Sequence, residues 1–85
     1  MSTIAVEVIA QIATALNIEP SAVTLGASLA GELGADSLDS VALVMAIEDH
    51  FSIELPDEEM QELRTVRQVI EYVELAVAMR EPAPA

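Results

Sequence analysis

All three glycines of the 85-residue chain, Gly26, Gly31 and Gly34, fall with Pro20 and several serines and threonines between Asn17 and Ala35. Glycine relaxes the backbone and proline removes a donor, so this span predicts one long connecting loop and leaves the flanking sequence for regular structure. Loops of this length are uncommon in compact domains and are often functional. Its Val23, Leu25, Leu29 and Leu33 are expected to pin it to the core.

Helical periodicity fills the rest. Ile4, Val8, Ile9, Ile12, Ala13 and Leu16 recur at three- and four-residue intervals and predict a first helix, capped by Ser2 or Thr3. Asp36 or Ser37 is positioned to cap a second helix running to about His50, since either side-chain oxygen can accept a free first-turn amide. Phe51 to Leu55 reads as a short connection, and Pro56-Asp57-Glu58-Glu59 opens a brief third helix with acids at its positive end. Thr65-Val66-Arg67-Gln68 has capping-box spacing before the stripe Val66, Val69, Ile70, Val73, Ala76 and Val77 of a fourth helix. Pro82 bars continuation, and residues 81–85 are expected to be a disordered tail beyond a domain of residues 1–80. No repeat and no bounded alternating pattern occurs. The expectation is an all-α fold, a small four-helix bundle of three main helices plus one short helix, with a long loop between helices one and two.

Only one Phe, one Tyr and no Trp are available, so the core must consist of Ile, Leu, Val, Ala and Met. A chain of this length buries only about 60% of its unfolded surface, and such a core is soft enough to part around a flexible apolar ligand. Fifteen acids against three arginines give a formal charge of -12, which repels phosphate backbones and favours basic protein surfaces. The N-terminus lacks the basic region of a signal peptide, and no run reaches the roughly 18 apolar residues of a membrane span. A soluble, cytoplasmic monomer without nucleic-acid or stable membrane partners is the expectation.

The second helix carries two apolar faces. With about 100° per residue and Leu38 at about 0°, Val41 falls at about 300° and Met45 at about 340°, while Leu43, Ile47 and Phe51 fall between about 140° and about 220°. One small bundle cannot bury both. The face with Leu43, Ile47 and Phe51 has the larger residues and is assigned to the core. That leaves Leu38, Val41 and Met45 as an exposed strip bordered by Glu48 and Asp49, suited to a basic partner. The competing reading is that one of these apolar residues packs beneath the long loop.

Ser37 stands between Asp36 and Asp39 with no histidine or lysine near it in sequence, which argues against a nucleophilic serine. Taken alone, Asp-Ser is a helix cap. The wider string Leu33-Gly34-Ala35-Asp36-Ser37-Leu38-Asp39, followed by Val41, Leu43 to Glu48 and Ile53 to Glu59, closely resembles the acyl carrier proteins of dissociated fatty acid synthesis. The similarity covers almost the whole chain and is strongest from Leu33 to Glu59. It implies a non-catalytic carrier in which Ser37 receives 4'-phosphopantetheine from coenzyme A through a phosphopantetheinyl transferase. It further implies that acyl transferases, ketosynthases and other acyl-processing enzymes dock on Asp36, Leu38, Asp39, Val41, Met45, Glu48 and Asp49. The acyl chain would then lie among Leu29, Ile47, Leu55, Leu63 and Val69; the alternative for these five is plain core. The arm would supply the thiol that this cysteine-free chain lacks.

Departures from the family pattern are Ala42, where such carriers commonly have glutamate, His50 at another commonly acidic position, and a first helix without lysines. They leave two alternatives standing: a discrete carrier for polyketide or other specialised synthesis, and an acidic helical adaptor without a prosthetic group. His50 reads as a solvated helix-end residue rather than a ligand or base.

Overall fold

The computed structural model describes residues 3–80, with the side chain of Arg80 left aside. Four α-helices follow one another: α1 (Thr3–Leu16), α2 (Ser37–Phe51), α3 (Asp57–Glu62) and α4 (Val66–Arg80), with one 3-10 turn at Pro20–Ala22 in the long loop. No strand occurs among the described residues; the only β feature is an isolated antiparallel bridge between Ser28 and Thr65. The expected all-α bundle with its long first loop is therefore the observed architecture. No described helix is long and apolar enough to cross a membrane. The expected tail, 81–85, and the proposed cap Ser2 lie outside the described residues.

Boundaries differ from expectation where tertiary contacts decide them. Thr3 is the first described residue of α1 and lies within the helix. Phe51 belongs to α2 rather than to the following connection, because its buried ring completes the core face one turn after Ile47. The helix stops at Ser52, which takes a left-handed conformation (φ 55°) and donates its N–H to the Glu48 carbonyl, as C-terminal caps commonly do.

The core collects Val8, Ile12, Leu43, Ile47, Leu55, Val66, Val69 and Val73, all essentially inaccessible. Helix α1 packs against both α2 and α4, and Glu7 of α1 pairs with His50 near the end of α2, Oε1 to Nε2 at 2.8 Å. His50 is thus exposed as expected but also bridges two helices, and its ring meets Phe51 edge-on at 4.8 Å.

The long loop is tied down in the way its apolar residues suggest, with Val23, Ala27 and Leu29 buried and Leu25 and Leu33 partly so. Backbone bonds fix it to the entry of α4: Leu29 N–H donates to the Arg64 carbonyl (2.9 Å), Val66 N–H to Ala27 (3.1 Å) and Arg67 N–H to Leu25 (2.9 Å). The Thr65–Gln68 capping box forms, Gln68 N–H donating to Thr65 Oγ1 at 3.3 Å and Thr65 N–H to Gln68 Oε1 at 3.1 Å. Loop and α4 entry therefore act as one unit that faces the first turn of α2.

Candidate functional site

The site is built around the first turn of α2. Between Asp36 and Ser37 the competition to cap the helix is won by Asp36, whose extended backbone leaves its carboxylate over the helix end. Asp36 Oδ1 accepts from Asp39 N–H at 2.8 Å, and Asp39 Oδ2 accepts in return from Asp36 N–H at 3.3 Å. This is a reciprocal capping box in which an aspartate replaces the usual glutamate. Gly34 makes the approach possible: it sits at φ +72°, a left-handed backbone that glycine adopts without penalty. Ala35 N–H then donates to the Leu29 carbonyl at 2.8 Å, anchoring the turn to the loop.

Capping by Asp36 frees the Ser37 hydroxyl. Ser37 is exposed as the first residue of α2, and its side chain has no hydrogen-bond partner among the described residues. The single histidine is at the far end of the same helix, held by Glu7, and is not placed to activate Ser37.

Beside the serine lies a cleft of about 990 Å³. It is lined by the loop (Ser28, Leu29, Ala30, Ala35), by α2 and its cap (Asp36, Ser37, Ser40, Val41, Val44), and by α3 and the segment after it (Asp57, Met60, Gln61, Leu63, Arg64). Of the five residues expected around an acyl chain, Leu29 and Leu63 line this cleft, whereas Ile47, Leu55 and Val69 sit in the fully closed core. Sequence reasoning missed Val44 and Met60. Met60 carried a signal, as the one apolar residue of the helix Asp-Glu-Glu-Met-Gln-Glu.

The two faces of α2 separate as the helical wheel requires. Leu43 and Ile47 are 0% exposed and Phe51 is buried, while Leu38, Val41 and Met45 are 81%, 57% and 63% exposed. None of the three packs beneath the loop. Of the acids assigned to the rim, Asp49 is exposed, Asp36 and Asp39 are engaged in the capping box, and Glu48 turns aside to accept the Leu55 N–H at 2.8 Å. Glu48 therefore fixes the α2–α3 connection as well as adding negative charge. Ala42 is exposed beside the strip.

Comparison with known proteins agrees with this arrangement. The family model described as a phosphopantetheine attachment site matches residues 6–73. The chain is 46% identical to an acyl carrier protein of Thermosynechococcus vestitus over 77 residues, covering 91% of this chain and 95% of that one. It is 45% identical over 74 residues to an acyl carrier protein of Porphyromonas gingivalis, covering 87% and 95% respectively. The chain belongs to the acyl carrier protein family.

Acyl carrier proteins are carriers rather than catalysts, and their prosthetic group is 4'-phosphopantetheine. The residues present fit that group. An unpartnered exposed hydroxyl stands at a helix start, where the first amides have no intrahelical acceptor and the dipole favours an anion. The adjoining cleft offers Leu29, Val44, Met60 and Leu63 as apolar lining. The group supplies a terminal thiol when bound, which the chain itself lacks.

Proposed function

We propose that this acyl carrier holds acyl intermediates as thioesters on a 4'-phosphopantetheine arm attached to Ser37 Oγ and presents them to enzymes of fatty acid synthesis. The observation that supports the attachment point most directly is the division of labour at the start of α2: Asp36 takes the capping role and leaves Ser37 Oγ exposed and unbonded beside the cleft. A transferase would move the phosphopantetheinyl group from coenzyme A to Ser37 Oγ. The serine proton leaves and the nucleotide portion departs with the other phosphate.

Docking of the partner enzymes is assigned to the exposed strip Leu38, Val41 and Met45. Asp36, Asp39, Glu48 and Asp49 supply the negative field around it. A phosphopantetheinyl transferase, acyl transferases and ketosynthases with basic docking surfaces are the partners this surface suits. Tethering gives the docked enzyme a high effective concentration of substrate without any catalytic group on the carrier. The acyl chain is assigned to the cleft at Leu29 and Leu63 and, on further opening, to the core at Ile47, Leu55 and Val69.

A carrier dedicated to polyketide or other specialised synthesis is favoured by one observation, the exposed Ala42 beside the docking strip, where a fatty-acid-type carrier would commonly present a glutamate. Incubation with coenzyme A and a broad-specificity phosphopantetheinyl transferase, followed by intact mass measurement, tests the attachment. The expected result is one added arm on the native chain and none on Ser37→Ala. No added arm on the native chain, or an arm on the alanine variant, overturns the assignment. The acyl group recovered from the native host then separates the two pathways.

A further inference from the structure

Ser37, at the start of α2, and Arg64, between α3 and α4, line the same cleft. Arg64 is the only cationic side chain among the lining residues, in a chain with fifteen acids and three basic residues. An arginine in such a chain has many carboxylates to choose from. Yet no described carboxylate lies within salt-bridge distance of Arg64, including Asp57 of the same cleft. Its root is nevertheless fixed: the Arg64 N–H donates to Gln68 Oε1 at 2.8 Å and its carbonyl accepts the Leu29 N–H at 2.9 Å. A charged group held at its base and unpaired at its tip is available to a ligand in the cleft.

The start of α2 carries the complementary need. An anion linked to Ser37 Oγ meets the carboxylates of Asp36 and Asp39. The Asp39 N–H that would have helped to compensate it is already taken by Asp36. The Ser37 and Leu38 amides remain at the helix start, but within the cleft only Arg64 offers a full opposing charge. Guanidinium matches a phosphate through two parallel N–H···O bonds, a geometry that lysine cannot reproduce.

We propose that Arg64 holds the phosphodiester of the Ser37-linked arm and so directs the arm across the cleft, over Leu29, Met60 and Leu63. The proposal rests on the attachment reading given above. The same guanidinium chemistry would also accept a carboxylate at the far end of a cargo, and the two sources are separable because the arm with a free thiol carries no carboxylate.

The test compares the native chain, Arg64→Gln and Arg64→Lys, each converted to the arm-bearing form and checked by intact mass, with phosphorus NMR of the arm and proton–nitrogen NMR of the Arg64 Nε–Hε group. Arg64 is exposed, so the apo variants are expected to melt with the native chain. The expected result is a shift of the Nε–Hε resonance when the arm is added and a displaced phosphorus resonance in Arg64→Gln. The displacement should be smaller in Arg64→Lys, and high salt should move the native resonance toward that of Arg64→Gln. An identical phosphorus resonance in all three arm-bearing forms, with Nε–Hε unmoved by the arm, overturns the role of Arg64 alone. A shift of Nε–Hε with a succinyl thioester, but with neither the free arm nor a butyryl thioester, overturns it in favour of cargo recognition. Absence of any mass gain on the native chain overturns the attachment reading and this proposal together.

Discussion

Asp36 and Ser37 could each have capped α2 on sequence grounds. Only the extended backbone of Asp36, set up by the left-handed Gly34, decides which residue caps. Asp36→Ala is expected to cost about 1 kcal/mol, read as a lowered midpoint in urea unfolding of the apo protein.

Tyr72 could not be read at all, because its partner is a backbone atom eighteen residues away: its hydroxyl donates to the Glu54 carbonyl at 3.1 Å. Partial burial, followed by the charges of Glu59, Glu54 and Glu48, raises its pKa above the ordinary value of 10.0. The folded state therefore keeps the phenol proton longer than the unfolded chain does. Stability is untouched below that value and falls as pH rises through it toward the folded pKa, since the unfolded chain binds fewer protons there. Tyr72→Phe is expected to lose about 1 kcal/mol at neutral pH. The gap between native and variant should then narrow as pH rises through the ordinary tyrosine value of 10.0 toward the raised folded one, in urea unfolding at each pH.

Helix α2 shows what pattern can and cannot decide. Its two apolar faces, the choice of core face and the exposed strip were all legible from 100° arithmetic and side-chain size, because those are local properties of one helix. The composition of the cleft was not, since Val44, Met60 and Arg64 come together only through the path of the loop and α3. Nor was the pairing of the loop with the entry of α4, because Ser28 and Thr65 bridge across thirty-seven positions without any strand pattern to announce them. Ile47→Ala removes a fully buried branched side chain and is expected to cost about 2–5 kcal/mol, enough to unfold much of so small a domain. Met45→Ala, on the opposite face, should change stability by less than about 0.5 kcal/mol while weakening binding of the transferase, measured by calorimetric titration of the folded apo protein. A Met45→Ala variant that binds as tightly as the native chain would remove Met45 from the docking strip.

Across the whole molecule, a formal charge of -12 on 85 residues gives a field that favours basic surfaces and opposes the compact state through self-repulsion. The screening length contracts from about 30 Å at 0.01 M to about 8 Å at 0.15 M salt, so the melting midpoint should rise over that range; a flat titration would show that self-repulsion contributes little.

Stability is unevenly distributed as well. Helix α3 has six residues, no buried side chain and no side-chain cap at Pro56. On one side Glu48 clamps Leu55; on the other the Thr65–Gln68 box and the loop bonds hold the start of α4. The segment between these anchors is thus the least firmly held part of the cleft lining, the kind of region where local opening has the lowest cost. With an acyl chain in the cleft as proposed above, opening of these few residues would release it while the rest of the bundle stays folded.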